Sequence, residues 1–263
     1  MLRALSIAGT GMSAQSTNVE VIANNIANSN TTAFKRSLAE FSDLIYQQER
    51  LAGVPNQAGA GNIPEATQIG LGVQLTAIQG IFTQGPLNQT NNTFDLALQG
   101  NGFFQVQGLN NQTLYTRAGN FNVNNNGMLV TSDGSLVVPN INIGNVFVKV
   151  QVNQTGVVSV DKGDGKGLQP VGQLTIALFP NQSGLQAIGN NYYMETQSSG
   201  NPQVNNPGQP GYGTIQQGYL EQSNVDPVQE ITNLINAQRN YEMNSKVVQA
   251  ADEMYQTITK GSL

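Results

Sequence analysis

At both ends of the chain apolar residues recur every seven positions, while along the middle they recur every second one. Leu5, Met12, Val19 and Ile26 form the first seven-residue column, with Ala8 and Ile22 three positions on. Leu234, Tyr241, Val248 and Tyr255 form the second, with Ala237, Ala251 and Ile258 beside them. Such a repeat predicts coiled-coil-like seams, narrower than the stripe of an ordinary surface helix. The first helix is expected over residues 1 to about 28. The second is expected from Asp226 to about Thr259. Asp226-Pro227-Val228-Gln229 reads as its start, with Asp as N-cap, Pro at the first helical position and Gln three residues after the cap. Lys260 and Gly261 supply a cation and a stop at its end. Gly9 and Gly11 each cost about 1 kcal/mol against Ala in a helix interior, so the first helix is weak alone.

Val146, Val148, Val150 and Val152 alternate with Phe147, Lys149 and Gln151, which predicts a half-buried strand. Further strands are expected at 103–107, 114–117, 121–124, 128–131, 157–160 and 174–179. Turn signals separate them at Asn110-Asn111, Asn126-Gly127, Asp133-Gly134 and Thr155-Gly156. Ala52 to Ile63, rich in Gly, Pro, Asn and Ala, reads as a loop, as does Asn201 to Gly213. The fold class is therefore α+β: terminal N- and C-helices forming a coiled-coil-like domain, an extended linker segment and a central all-β domain. The expected boundaries are 1–30 for the N-terminal helix, 31–70 for an extended connector and 71–210 for the β-domain. A return connector at 211–224 and the C-terminal helix at 225–263 complete them.

Composition removes most chemistry. Charged residues are 10% of the 263, against about 25% in an average soluble protein, and the net charge is −5. No basic face is available for nucleic acid. Copies with so little charge repel one another weakly, which favours self-association. The chain has no His and no Cys. That excludes Ser-His-Asp and Cys-His catalysis, most zinc sites and any disulfide framework. No enzyme, cofactor or metal is expected. Gly9, Gly11 and Ala14 sit within the heptad pattern rather than at a strand-to-helix turn, so they read as small residues permitting close helix approach, not as a dinucleotide loop. Asp161 to Gly167 lacks the sixth-position Gly and twelfth-position Glu of a calcium loop and reads as a solvated turn. No apolar run approaches the ~18 residues of a membrane span, so no direct membrane insertion is expected. Met1 to Gly9 has one positive charge and a short apolar stretch but no clear cleavage site, and reads as mature helix.

One stretch resembles a known family. Asn24-Asn25-Ile26-Ala27-Asn28-Ser29-Asn30-Thr31-Thr32-Ala33-Phe34-Lys35-Arg36 is similar to the N-terminal signature of the bacterial flagellar rod and hook proteins. Asn24, Asn25, Asn28, Asn30, Thr31, Phe34 and Lys35 carry the match. Phe94 to Phe104, Tyr115 to Phe121 and Glu195 to Gly200 extend it nearly end to end, and it is nearest the distal rod branch. It departs at Ala33, where the family usually has Gly. If that position needs φ > 0, Ala costs about 1 kcal/mol or more there.

The resemblance implies a structural subunit that polymerises into a rigid tubular drive shaft of the basal body, carrying torque to the hook and enclosing the export channel. The implied partners are other copies in a helical tube, proximal rod subunits, hook or hook-junction proteins, and the peptidoglycan- and outer-membrane-ring proteins. The implied location runs from periplasm to outer membrane, reached without a cleaved signal peptide. The stretch from about Tyr46 to Pro64 corresponds to an insertion that locks neighbouring subunits. Asn236, Arg239, Lys246 and Glu253 correspond to a channel-facing polar surface. Leu5, Met12, Val19, Ile22, Ile26, Leu234, Tyr241, Val248, Tyr255 and Ile258 are the expected assembly seam. These seams are too thin to hold an isolated helix pair, so the termini are expected to order on assembly, with Leu2, Ile7, Val21, Ile231, Ile235 and Val247 covered by neighbours. A proximal rod or hook protein shares the terminal motifs. A secreted β-rich adhesin or binding module fits the middle alone and has no need of heptads at both ends.

Overall fold

The computed structural model describes residues 2–50, 66–108, 112–163 and 165–261. The chain divides into two compact units. One comprises Met1–Ala27, Ser37–Gln79 and Asp226–Leu263; the other comprises Asn28–Arg36 and Gly80–Val225. Three places differ from the expected boundaries: most of the signature loop and the return stretch 211–224 belong with the strand-rich unit, and residues 71–79 belong with the helices.

In the first unit, α1 (Leu2–Ala27) packs along α2 (Pro227–Gly261). Asn25 bonds Glu230, and a Cβ on Gly11 would sit 2.9 Å from Asn244 Nδ2, so the helices run antiparallel. Both contacts lie two heptads apart on each helix, and the same register places Asn18 opposite Ala237 and Ala4 opposite Ala251. The line of closest approach is therefore small and polar, and the expected large-residue columns flank it. Ala8, Ala14, Val21, Ile22, Ala237 and Ala251 are buried. Of the expected seam, Leu5 (42% exposed), Tyr241 (43%) and Tyr255 (57%) face outward, while Met12, Val19, Ile26, Leu234 and Val248 are half-buried. Val21, expected at an outer surface, is covered within the helix pair. The side chains of Leu2 and Ile258 lie outside the described residues. The physical reason for the shift is distance: backbones approach furthest where side chains are shortest, and bulky groups are displaced to the sides.

Asp226 caps α2 as expected, its Oδ1 accepting from Val228 N at 3.0 Å and Gln229 N at 3.4 Å. Gln229 does not complete a capping box; its Nε2 donates to Asn233 Oδ1 one turn on. The same unit holds a ribbon that fills the expected connector and runs past it: β1 (Ser37–Asp43), β2 (Tyr46–Arg50), β3 (Thr67–Gly70) and β4 (Val73–Gly80), whose last residue falls in the other unit. β1 pairs β4, and β2 pairs β3 antiparallel with Tyr46 across from Gly70. Val73 N donates to Thr10 Oγ1, and a Cβ at Gly72 (φ +121) would collide with that hydroxyl, so the ribbon turns tightly against α1. The loop expected at 52–63 lies outside the described residues, and the insertion expected at 46–64 is described only through Arg50.

The second unit is built from short strands: β5 (Leu87–Gln89), β6 (Leu96–Gln99), β7 (Phe103–Gln107), β8 (Thr113–Thr116), β9 (Asn122–Val123), β10 (Leu129–Val130), β11 (Leu136–Val138) and β12 (Lys149–Val152). Then come β13 (Val157–Asp161), β14 (Gln169–Gln173), β15 (Ile176–Leu178), β16 (Gln186–Gly189), β17 (Tyr192–Met194), β18 (Gln203–Asn205), β19 (Thr214–Gln217) and β20 (Tyr219–Glu221). The largest sheet runs β16-β17-β8-β7-β11-β10-β9, with β15 joining β7 to β18. β12-β13-β14 form a second sheet, and the pairs β19-β6 and β20-β5 close the unit. All six further strands read from the sequence are present: 103–107 as expected, 157–160 one residue longer, and the other four shortened or slightly shifted.

The strand expected across 146–152 begins only at Lys149. Val150 is buried opposite Val160, but Val146 and Val148 are largely exposed, and Phe147 stands edge-on to Phe94 at 5.8 Å. Alternation persists one turn beyond the point where the partner strand ends at Asp161. Asn126-Gly127, Asp133-Gly134 and Thr155-Gly156 are turns with glycine at positive φ; Asn110-Asn111 and Asp164 lie outside the described residues. The core gathers Leu96, Leu98, Phe104, Phe121, Ile143, Leu174, Ile176 and Ile215, all nearly inaccessible. A smaller cluster sets Phe103, Tyr115, Phe179 and Tyr193 in edge-to-face contact.

Candidate site at the signature loop

The signature serves both units in turn. In the first, Asn25 is buried and its amide imitates a strand partner for Ser37. Nδ2 donates to Ser37 O and Oδ1 accepts from Ser37 N, each at 2.8 Å. Nδ2 also reaches Glu230 Oε2 at 3.3 Å. One side chain thus ties the end of α1, the start of β1 and the first turn of α2. Neither Asp, lacking donors, nor Ala keeps that set.

In the second unit the chain turns at Asn28, where Thr31 N and Oγ1 bond Asn28 O and Oδ1. Ala33 follows with φ +56 and 1% exposure. The left-handed geometry anticipated for this position is therefore present, and carried by a residue with a Cβ. Ala33 N donates to Glu221 O at 2.8 Å.

Glu221 is the hub. Its Oε1 accepts from Lys35 Nζ at 2.5 Å and Gly85 N at 3.0 Å, and its Oε2 from Arg117 Nε at 3.1 Å. All three charged side chains are buried. Lys35 Nζ has a second acceptor in Thr83 O, and Arg117 Nη1 bonds the carbonyls of Gly100 and Gly102. Gly85 has to be glycine, because a Cβ there would run into Gln222 O. Burial lowers the Lys35 pKa; Glu221 opposes that shift and Arg117 adds to it. Burial also pushes the Tyr193 phenol up to about 12, with Arg117 and Glu221 pulling in opposite directions.

Asn224 continues the clamp. Its Oδ1 accepts from Arg36 N, and its Nδ2 donates to Ile81 O, Thr83 O and Thr83 Oγ1. Lys35, Arg117 and Glu221 are thus tied to one another and to the backbone at Thr83, Gly85, Gly100 and Gly102, so the arrangement sets backbone geometry. Among the described residues no cluster of acidic side chains is arranged to hold a metal ion.

Asn24 and Asn30 are exposed, as are Asn236, Arg239, Lys246 and Glu253 on α2. Phe34 is half-buried. Sequence reasoning missed Glu221, Asn224 and Glu230. The available signal was scarcity: in a chain with 16 acidic residues, an isolated Glu between Tyr219-Leu220 and a polar run invites the question of what it pairs with.

Three family models cover the corresponding regions. Residues 5–35 match the flagella basal body rod protein family, 97–160 the flagellar hook protein FlgE/F/G D1 domain, and 216–260 the flagellar basal body rod FlgEFG protein C-terminal family. Two terminal helices and a strand-rich body that carry these matches are thus the framework of a flagellar rod or hook protein. Along the whole chain the similarity is narrower. It is 53% identical to the flagellar basal-body rod protein FlgG of Agrobacterium fabrum over 98% of this chain and 99% of that one. Identity is 45% to FlgG of Caulobacter vibrioides, over 98% and 99%, and 39% to FlgG of Bacillus subtilis, over 98% of each. The chain belongs to the FlgG family of flagellar basal-body rod proteins, structural components rather than enzymes. Among solved structures, the Helicobacter pylori flagellar hook protein FlgE2 overlaps loosely: TM-score 0.23 and 15% identity, over 71% of this chain and 43% of that one.

Proposed function

We propose that this protein is the distal rod subunit, polymerising into a stiff tube that carries motor torque to the hook and encloses the export channel. The observation that carries the reading is the outward display of apolar side chains on the helix pair: Leu5, Ile231, Ile235, Tyr241, Val247 and Tyr255. Covering them requires neighbours, and the weakly charged surface does not resist crowding. The helices would supercoil in the tube and acquire their full order there. The exposed residues Asn236, Arg239, Lys246 and Glu253 give α2 a mixed-charge polar face suited to a channel wall that an unfolded passenger does not stick to. The segment at 46–64 would brace adjacent subunits, with 31–70 and 211–224 acting as connectors.

The partners in this reading are proximal rod subunits below, hook or hook-junction proteins above, and the peptidoglycan- and outer-membrane-ring proteins around the shaft. The route is flagellar export without a cleaved signal peptide, to a position from periplasm to outer membrane. Electron microscopy of basal bodies from a deletion strain tests this. Particles should stop at the proximal rod and regain a distal rod on complementation. Complete rods in the deletion strain would overturn it.

A further inference from the structure

One cleft on the strand-rich unit is left unused by the rod reading. It has a volume of about 620 Å³ and is lined by Phe94, Phe147 and Val123 together with Asn122, Asn124, Asn125 and Asn145. We propose that it binds an uncharged saccharide.

Phe94 packs against the core, and Phe147 stands at 87° to it with centroids 5.8 Å apart, 36% exposed. An exposed ring braced edge-on by another is a rigid apolar platform, and the C–H face of a pyranose is the complementary surface. Asn122, Asn125 and Asn145 are exposed. Each amide offers two donors and an acceptor, matched to hydroxyls and acetamido groups around a sugar ring. Asn124 is the exception: its Oδ1 accepts from Asn126 N and Met128 N and shapes the turn behind the cleft. No wall residue is ionisable, so an anionic or cationic ligand would lose its hydration without a counter-charge, whereas a neutral polyol exchanges water for amides at little cost. The cleft volume lies in the range of ligand sites, and its open form suits a chain passing through better than a small molecule enclosed.

The exposed Val146-Phe147-Val148 stretch, left outside the strand that its alternation predicted, thereby acquires a role: it lies out of the sheet and holds Phe147 at the lip of the cleft.

The test is titration of the full-length, unpolymerised chain with chitotetraose and cellotetraose, followed by side-chain amide NMR, and co-sedimentation with insoluble chitin to separate soluble from polymeric glycan. Saturable shifts of the Asn122, Asn125 and Asn145 amides are expected at about millimolar Kd. Phe147→Ala should weaken binding about tenfold while leaving the circular dichroism unchanged, because the ring is partly exposed and outside the strands. Asn145→Ala should weaken it without changing the fold. Absence of shifts up to saturation of the titration, shifts that survive Phe147→Ala, or displacement by an apolar peptide but not by saccharide would overturn the proposal.

Discussion

Lys35 Nζ lies 2.5 Å from Glu221 Oε1, across 186 positions of sequence, with both side chains buried. Arg117 completes a set of two cations around one anion. Removing the anion is the severe change, since it leaves two buried charges facing each other. Glu221→Gln should cost about 3–5 kcal/mol and lower the midpoint of denaturant unfolding of the strand-rich unit. Lys35→Met should cost less, because Glu221 keeps Arg117 and the Gly85 N–H. Equal losses in the two variants would contradict the hub.

Ala33 occupies a left-handed backbone position at φ +56. Ala33→Gly removes the clash of Cβ with the neighbouring carbonyl, offset in part by greater freedom of the unfolded chain. A net gain of about 0.5–1 kcal/mol is expected, visible as a rise of a few degrees in Tm. A fall in Tm would mean that the buried methyl contributes more packing than its backbone strain costs.

The tyrosines set the alkaline limit. Burial raises Tyr193 to about 12 and also raises Tyr115 and Tyr192, each against an ordinary value of 10.0. A raised folded pKa means that stability is fully present below pH 10 and is lost as pH rises through the folded values. Lys35 works in the other direction: its lowered pKa lets stability grow as pH approaches 10.5, but one lysine opposes three phenols. Part of the tyrosinate absorbance should therefore appear only above pH 10, together with loss of near-UV dichroism. A single transition near pH 10 with the fold intact would refute this.

The helix pair separates packing within one chain from packing between chains. Ala237→Leu forces bulk onto the line of closest approach and should destabilise α1 and α2 by about 1–3 kcal/mol, read as lost helical dichroism. Leu5→Ala should leave the isolated chain nearly unchanged and instead weaken polymerisation, measured by sedimentation. The reverse pattern would place the large residues inside the pair.

Hydrogen exchange gives an independent check. Amides of α1 and α2 should exchange faster in the isolated chain than in the polymer, because the exposed apolar flanks are covered only there. Full protection in the monomer would remove the coupling of order to assembly.

The periodicities made the elements legible. Heptads announced two terminal helices, the Asp226 cap located the start of α2, and period-two alternation announced the strands, because local side-chain geometry is written in local spacing. Family-like strings marked Asn25, Lys35 and Arg117 before any contact was visible. Ala33 was legible as a departure, and its cost followed from backbone sterics alone.

Three-dimensional packing settled what spacing left open. It chose the small column of Gly11, Ala237 and Ala251 for the close face of the helices, because distance between backbones, not hydrophobicity, decides which residues can meet there. It ended β12 at Lys149 where its partner ran out. It also brought Glu221 to Lys35, Gly85 and Arg117, since a hydrogen bond between residues far apart in sequence leaves no periodic trace along the chain.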